Sequence, residues 1–271
     1  MVSMETQELQ SIGSMVKNMP FFEVVSVDSV NCEAHGEFEQ RTYGSGRVSK
    51  CPKCLDELDA KRKAEDEAER ERANQERIER FVTKLMGDSG LKPRFQNKLI
   101  RDYMAETEAQ IEVVAQVKAY ALEFNKGHSG RNMAMIGNAG TGKTHLASAM
   151  INHCIKNLHQ PARFLSISKL NRVVRESKSF DSEHTESQII DALAACELLV
   201  IDEIGVQSGT DAESRALFDV FNARYEEMKP TLFISNLNLQ RFAEAVGGRI
   251  MSRLREGGGE ILSFDWEDYR K

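Results

Sequence analysis

GNAGTGKT (Gly137–Thr144) is the stretch of sequence that decides the fold, because it matches the phosphate-binding pattern G-x-x-x-x-G-K-[ST]. Glycines in such a loop let backbone N–H groups turn toward phosphate oxygens, and the helix that follows directs its N-terminal dipole at the same anion. Lys143 is expected to reach the β- and γ-phosphates, and the Thr144 hydroxyl to hold Mg²⁺. The apolar segment Met133–Ile136 precedes the loop and an amphipathic segment follows it, which favours a nucleotide site over a glycine-rich turn. The predicted nucleotide-binding residues are Gly137, Asn138, Ala139, Gly140, Thr141, Gly142, Lys143 and Thr144.

Two further polar positions follow apolar segments. Leu198–Ile201 leads into Asp202 and Glu203, and we expect the two carboxylates at the end of a neighbouring strand. Asp202 would hold Mg²⁺ and Glu203 would polarise the attacking water as general base, a division of roles that predicts hydrolysis. Asn236, after Thr231–Ser235, would orient that water near the γ-phosphate. The alternatives are a surface or helix-capping acid at Glu203 and a turn residue at Asn236.

Downstream of Gly127, the sequence pattern alternates short apolar strands with amphipathic helices. The predicted strands are 132–136, 163–167, 198–202, 231–235 and 260–264, with a helix over 107–124, and this alternation predicts an α/β fold with a parallel sheet covered by helices. The chain has 271 residues, 41% hydrophobic content and a formal net charge of −6, which excludes a wholly disordered chain and a uniformly basic nucleic-acid coat. No apolar run approaches the ~18–20 residues of a membrane span, and residues 1–10 lack a signal-peptide core, so we expect a cytoplasmic protein without a membrane partner.

A metal motif lies near the N-terminus. Cys32-x₂-His35 and Cys51-x₂-Cys54 are separated by 15 residues, a spacing typical of tetrahedral zinc. Four protein ligands leave no open position, so the predicted zinc is structural and would hold together a segment too short to fold on its own core. The alternatives are four unrelated side chains or a redox pair at Cys51 and Cys54. The module is also a candidate DNA contact, because it carries Arg41, Arg47, Lys50 and Lys53.

Residues 55–80 are a run of alternating charges without Gly or Pro. Acids and bases recur at helical spacing, which predicts a long exposed helix rather than a coiled coil. The chain is therefore divided into an N-terminal zinc module (1–54), a charged linker helix (55–86) and a P-loop domain (87–271). A short amphipathic helix is also predicted between Leu9 and Met19.

Four segments together resemble the DnaC/IstB branch of the AAA+ ATPases, over about residues 85–271. They are the P-loop with the His145-Leu146-Ala147 that follows it, Ser89–Phe95, Gly248–Arg255 and Phe264–Arg270. The last segment is more similar to a DnaC-type helicase loader than to a transposase helper. The zinc motif departs from well-known loaders and looks like a variant of phage and prophage replication proteins.

The resemblance implies an AAA+ ATPase that uses ATP and Mg²⁺, binds a ring-shaped replicative helicase, and helps to place it on single-stranded DNA. It also implies self-association, in which Arg253 serves as an arginine finger in trans, with Arg249 as the fallback. Arg270 resembles the second sensor that reads the γ-phosphate, and His145 joins the nucleotide site. The competing readings are an IstB-like transposition helper and a nucleotide-binding adaptor or inhibitor of a helicase. A DnaA-type initiator is disfavoured, since we expect no sequence-reading domain after Arg270.

A row of cations between the second and third predicted strands is the candidate DNA contact. Basic charge that follows a phosphate backbone, beside an aromatic ring for base stacking, is typical of single-strand binding, although a solvated basic face fits the pattern equally well. The row comprises Lys169, Arg172, Arg175 and Lys178, followed by Phe180.

Overall fold

The computed structural model describes residues 23–179, 182–206 and 210–268. The helix predicted between Leu9 and Met19 lies outside these residues. The chain forms two compact units, Met1–Glu76 and Arg77–Lys271. No helix in the described ranges has the length and apolar character needed to cross a bilayer.

The first unit is built on an antiparallel hairpin. β1 (Val24–Cys32) pairs with β2 (Gly36–Tyr43), and Cys32 stands opposite Gly36 at the turn. The chain then reverses again, so that Thr42 forms a bridge with Val48. This second reversal returns Cys51 toward the hairpin turn, where Cys32 and His35 lie.

α1 (Pro52–Asp88) is 37 residues long and has no buried residue among them. It begins earlier than the predicted 55, because Pro52 suits the first turn of a helix, where no backbone N–H is needed. Cys54 therefore lies in the first turn of the helix rather than before it. Val82, Leu85 and Met86 near its end nevertheless pack against the core of the second unit, so the exposed linker over 55–86 stays a prediction.

The second unit contains a five-stranded sheet in which every neighbouring pair is parallel. Its strands lie within one residue of their predicted starts, and the predicted α/β fold with flanking helices is confirmed. The strands are β3 (Met133–Gly137), β4 (Ala162–Ser166), β5 (Leu198–Ile204), β6 (Thr231–Ser235) and β7 (Glu260–Phe264). The order across the sheet is β4-β5-β6-β3-β7.

This strand order corrects one detail of the sequence prediction. The acidic pair at Asp202 was expected on a strand next to the P-loop strand, but β6 lies between β3 and β5. Adjacency along the sequence does not determine adjacency in a parallel sheet, because each crossover can skip a position. The insertion of β6 places the end of that strand, at Asn236, between the loop and the acids.

Helices cover both faces of the sheet. The helices are α2 (Glu108–Glu123), α3 (Lys143–Leu158), α4 (Ile167–Glu176), α5 (Glu186–Ala194), α6 (Asp211–Glu226), α7 (Leu239–Val246) and α8 (Gly248–Arg255), with short 3-10 turns at Pro93–Phe95, Ile100–Asp102, Phe124–Lys126 and Glu256–Gly258. Side chains alternate along β3, so that Met135 packs into one core with Leu146 and Ile136 packs into the other with Phe221. Cys154 and Cys196 are buried in these cores, one in each.

Candidate nucleotide site and metal cluster

Positive φ angles and close neighbours explain the first and last glycines of the phosphate loop. Gly137 ends β3 with φ +117°, and a Cβ there would lie 2.6 Å from the Phe264 carbonyl oxygen on β7. Gly142 precedes α3 with φ +92°, and a Cβ there would lie 2.4 Å from the Tyr103 ring. Only glycine fits both positions, since each combines a left-handed backbone with a packed neighbour.

Lys143 is held beneath the loop. Its side chain is buried, and its ammonium donates to the Gly137 carbonyl oxygen at 2.9 Å and to the Thr141 hydroxyl at 3.3 Å, with a further short bond to the Asn138 carbonyl. A buried ammonium needs such acceptors, because desolvation of an unpaired charge is costly. The contacts place the positive charge of Lys143 at the base of the phosphate-binding turn.

Asp202 on β5 and Thr144 at the start of α3 meet in the cleft. The Thr144 hydroxyl donates to Asp202 Oδ2 at 3.1 Å, and the Glu203 backbone N–H donates to Asp202 Oδ1 at 2.6 Å. Burial raises the pKa of the Asp202 carboxyl, although both hydrogen bonds and Lys143 act in the opposite direction. A desolvated carboxylate oxygen beside a hydroxyl is a donor set that suits Mg²⁺, so the residues present fit that cation.

Glu203 has an unusual backbone for a residue with a side chain. Its φ is +64°, at a register shift of β5 between Ile201 and Ile204. The conformation turns the chain so that an exposed Glu203 and Asn236 both line the cleft that contains the phosphate loop. That cleft has a volume of about 390 Å³, within the range of small-molecule sites.

Sequence reasoning missed one wall of this cleft. Arg94, Phe95 and Lys98 also line it, and the Arg94 guanidinium lies 4.9 Å from the centre of the Phe95 ring. The Ser89–Phe95 segment was recognised only as a mark of the family. Its basic-aromatic sequence ahead of α2 is a signal that could have indicated a further wall of the cleft.

Aromatic side chains brace the loop from behind. The Tyr103 hydroxyl and the Trp266 indole N–H both donate to the Thr141 carbonyl oxygen, at 2.8 and 3.3 Å. His145 also lines the cleft, with Nε2 3.0 Å from the Leu99 carbonyl oxygen. Arg270, the predicted second sensor, lies outside the described residues.

Arg253 is not among the residues that line the cleft in the described part of the chain. Its guanidinium lies 5.4 Å from the centre of the Phe218 ring and 4.9 Å from that of Tyr225, and it donates to the Asn222 side chain. Arg249, one turn earlier on α8, lies 5.7 Å from the same Phe218 ring. Both arginines therefore share one aromatic support on α6.

The predicted DNA row is exposed, but two of its members have acidic partners. α4 buries Ile167, Leu170 and Val174 and leaves Lys169, Arg172 and Arg175 in solvent. Arg172 lies 4.0 Å from Glu176 and Lys178 lies 3.3 Å from Glu186. Phe180, the predicted stacking ring of this row, lies outside the described residues.

The first unit brings the four predicted metal ligands together. The Sγ atoms of Cys32 and Cys54 are 3.5 Å apart, and His35 Nδ1 lies 3.3 Å from Cys54 Sγ, 3.8 Å from Cys51 Sγ and 3.9 Å from Cys32 Sγ. Tetrahedral zinc with Zn–S of about 2.3 Å and Zn–N of about 2.0–2.1 Å gives ligand separations of about 3.8 and 3.6 Å. The cluster has the size of such a site and could hold a metal ion.

The outer contacts of the cluster favour a cation in its centre. His35 Nε2 lies 2.9 Å from Glu57 Oε1, which leaves Nδ1 as the ligand atom and fixes the ring. The Ala34 backbone N–H lowers the pKa of the Cys32 thiol to about 6. The hydrogen bond to Cys32 favours the protonated Cys54 thiol and, with burial, raises the pKa of Cys54 to about 11. A bound divalent cation would instead hold both sulfurs as thiolates.

Comparisons with known proteins agree with this geometry. A family profile described as "IstB-like ATP binding protein" matches residues 61–254. The replicative helicase loader DnaC of Buchnera aphidicola subsp. Baizongia pistaciae is 31% identical over 193 residues, which is 70% of this chain and 76% of that protein. The replicative helicase loader DnaC of Escherichia coli strain K12 is 29% identical over 182 residues, 67% of this chain and 73% of that one.

Among solved structures, the "Crystal structure of the DnaC helicase loader" matches with a TM-score of 0.55 at 20% identity, covering 64% of this chain and 99% of that one. This likeness shows a shared P-loop fold. Because the family profile and the curated relatives each cover more than half of the sequence, the chain belongs to the DnaC/IstB-like family of ATP-binding proteins.

Proposed function

We propose that the protein is an ATP-hydrolysing loader that binds a replicative DNA helicase and helps to place it on single-stranded DNA. One observation carries the proposal: a single cleft, lined by the phosphate loop, Asp202, Glu203 and Asn236, in a chain whose relatives are named replicative helicase loaders. ATP state would act as the switch between gripping and releasing the partners.

In this proposal, four side chains carry out the hydrolysis step. Lys143 would turn from the loop carbonyls to the β- and γ-phosphates, and Thr144 with Asp202 would hold Mg²⁺, which supplies charge neutralisation at the phosphates. The exposed Glu203 carboxylate would accept a proton from the attacking water, and Asn236 would orient that water. Arg94 and Phe95 would contact the base.

Completion of the site would require a second copy of the chain. Arg253 lies on the α6–α8 face rather than in the cleft of its own subunit, so it is suited to act in trans on a neighbour's γ-phosphate. An arginine supplied in this way can contribute about 10³–10⁵ in rate. Arg270 would read the same phosphate in cis.

The remaining regions have supporting roles in the proposal. Residues 1–54 form a module stabilised by structural zinc at Cys32, His35, Cys51 and Cys54, residues 55–86 form the linker, and residues 87–271 form the ATPase domain. The cations Lys169, Arg172, Arg175 and Lys178, with Phe180, would contact single-stranded DNA when the acidic partners of Arg172 and Lys178 are displaced.

A second candidate is a transposition helper ATPase that acts on duplex DNA, favoured by the family profile named for IstB-like proteins. A loading assay separates the two functions. The replicative helicase of the host is incubated with this protein, ATP and a single-strand-containing fork, and strand separation is measured. A loader stimulates unwinding, and Glu203→Gln reduces the effect.

Failure to stimulate unwinding, together with tighter binding of duplex than of single-stranded DNA, would contradict the loader and favour the helper. Suppression of unwinding by the wild-type protein and by Glu203→Gln alike would contradict both and identify an inhibitor that binds nucleotide without using its hydrolysis.

A further inference from the structure

One face of the small sheet in the first unit carries two arginines and a tyrosine. The Tyr43 N–H donates to the Arg47 carbonyl at 2.9 Å, and the Ser49 N–H donates to the Arg41 carbonyl at 2.8 Å. Side chains alternate along each strand, so Arg41, Tyr43 and Arg47 lie on the face opposite Thr42 and Val48. We call these three residues the Arg-Tyr-Arg face.

The Arg-Tyr-Arg face is open to solvent. Arg41 and Arg47 are exposed, and Tyr43 is half-buried. Within the part of the chain that the structure describes, neither guanidinium forms an ion pair. Val27, which stands opposite Arg41 on β1, is 52% exposed. Two unpaired cations beside an aromatic ring are thus available to an anionic partner.

Charge is distributed unevenly along this surface. Glu37 and Glu39 occupy the same face of β2, nearer the hairpin turn where Cys32 and His35 meet. The two arginines lie at the opposite end, beside the Gly44–Gly46 turn. An anionic chain would therefore be repelled from the metal end and attracted to the Arg-Tyr-Arg face, which gives the surface a defined binding end.

We propose that the Arg-Tyr-Arg face binds single-stranded nucleic acid, separately from the cation row of the ATPase domain. Arginine side chains neutralise phosphates without reading sequence, and the partly exposed Tyr43 ring on the same face would stack on an unpaired base. A duplex offers no unpaired base to the ring. A protein partner that packs on the ring is the competing occupant, and helicase binding in the test below separates it from nucleic acid.

The test measures binding of a fluorescent oligothymidylate to the full-length protein by anisotropy at several salt concentrations. Each lost phosphate contact lowers the slope of log affinity against log salt by about 0.7 for a single strand, so Arg41→Glu/Arg47→Glu should lower it by about 1.4. If the variant and the wild-type protein bind equally at 1 M salt, this difference in slope makes the variant bind about 25-fold more weakly than the wild type at 0.1 M salt. Tyr43→Ala should weaken binding about fivefold, and Tyr43→Phe should retain it, since the ring remains.

The matched control is Lys61→Glu/Lys63→Glu, which changes net charge equally on the exposed α1 of the same unit. Bound zinc and circular dichroism establish that each variant is folded. The proposal is overturned if the arginine double variant binds the oligonucleotide like the control. Loss of helicase binding with unchanged oligonucleotide binding overturns it equally and assigns the face to a protein partner. Variants of Lys169 and Arg175 test the other proposed DNA contact, so the two can fail independently.

Discussion

Glu203 should lower the free energy of unfolding, because its backbone is held in an unfavourable conformation at the edge of the cleft. Its φ of +64° is in the left-handed region, and its carboxylate is exposed. A non-glycine residue held there costs on the order of 1 kcal/mol. Glu203→Gly removes that cost, whereas Glu203→Gln keeps the backbone and removes only the base. Both variants should lose hydrolysis, but only the glycine variant should be stabilised.

The magnitude follows from the size of the second unit, Arg77–Lys271. For a domain of about 200 residues, 1 kcal/mol shifts Tm by about 2–4 °C. Glycine also has greater conformational freedom in the unfolded chain, which reduces the expected gain in Tm. We expect Glu203→Gly to raise Tm by about 2 °C and Glu203→Gln to leave it unchanged, measured by calorimetry without nucleotide. ATP turnover should fall about 10²–10⁴-fold in both variants, with ATP binding retained.

Met228 provides a matched control, since it too is left-handed, with φ +54°, and is exposed after the end of α6. Met228→Gly should raise Tm by a similar amount and leave turnover intact. The reasoning is refuted if Glu203→Gly hydrolyses ATP at the wild-type rate, or if Met228→Gly is stabilised while Glu203→Gly is not.

Three other predictions concern the phosphate loop, the trans contact and the metal cluster. Lys143→Ala should abolish ATP binding in a titration calorimeter, and retained micromolar affinity would refute the loop assignment. Arg253→Ala should bind ATP normally but lose ATP turnover, and mixing it with the Lys143→Ala protein should restore part of the ATPase activity. Phe218→Leu should lower kcat more than it changes KM, because the ring positions Arg253. Glu57→Ala should weaken zinc binding about tenfold in a chelator competition. This is the low end of the usual range for a residue that orients a metal ligand, because the Glu57 side chain is 69% exposed. Equal zinc affinities for Glu57→Ala and Asp56→Ala would contradict this role.

Local patterns in the sequence were sufficient to predict that the phosphate loop, Asp202, Glu203 and Asn236 meet at one site, and the structure places them around one cleft. The phosphate loop and the acidic pair are each formed by a few consecutive residues that follow an apolar strand. Each motif can therefore be recognised from the sequence before the fold is known. The strand alternation likewise predicted the parallel sheet. The metal cluster was predictable for the same reason, since two short pairs of ligands specify it.

Contacts between distant segments were not predictable in this way. The position of β6 between β3 and β5 depends on how crossovers pack, and no residue in Thr231–Ser235 encodes it alone. The Arg94–Phe95 wall joins the cleft only because the segment before α2 packs against α3, where Asn152 donates to the Phe95 carbonyl at 2.8 Å. The Glu57–His35 bond links residues on a helix and a hairpin turn, and the charge run gave no reason to distinguish Glu57 from its neighbours.

The loader assignment is tested most directly by mixing the purified protein with the host replicative helicase, with and without ATP, and measuring mass by size-exclusion chromatography with light scattering. The account predicts a stoichiometric complex, with stability that depends on nucleotide and responds to Glu203→Gln. Absence of a complex under every nucleotide condition, at concentrations where both proteins are folded and this one binds ATP, would contradict it.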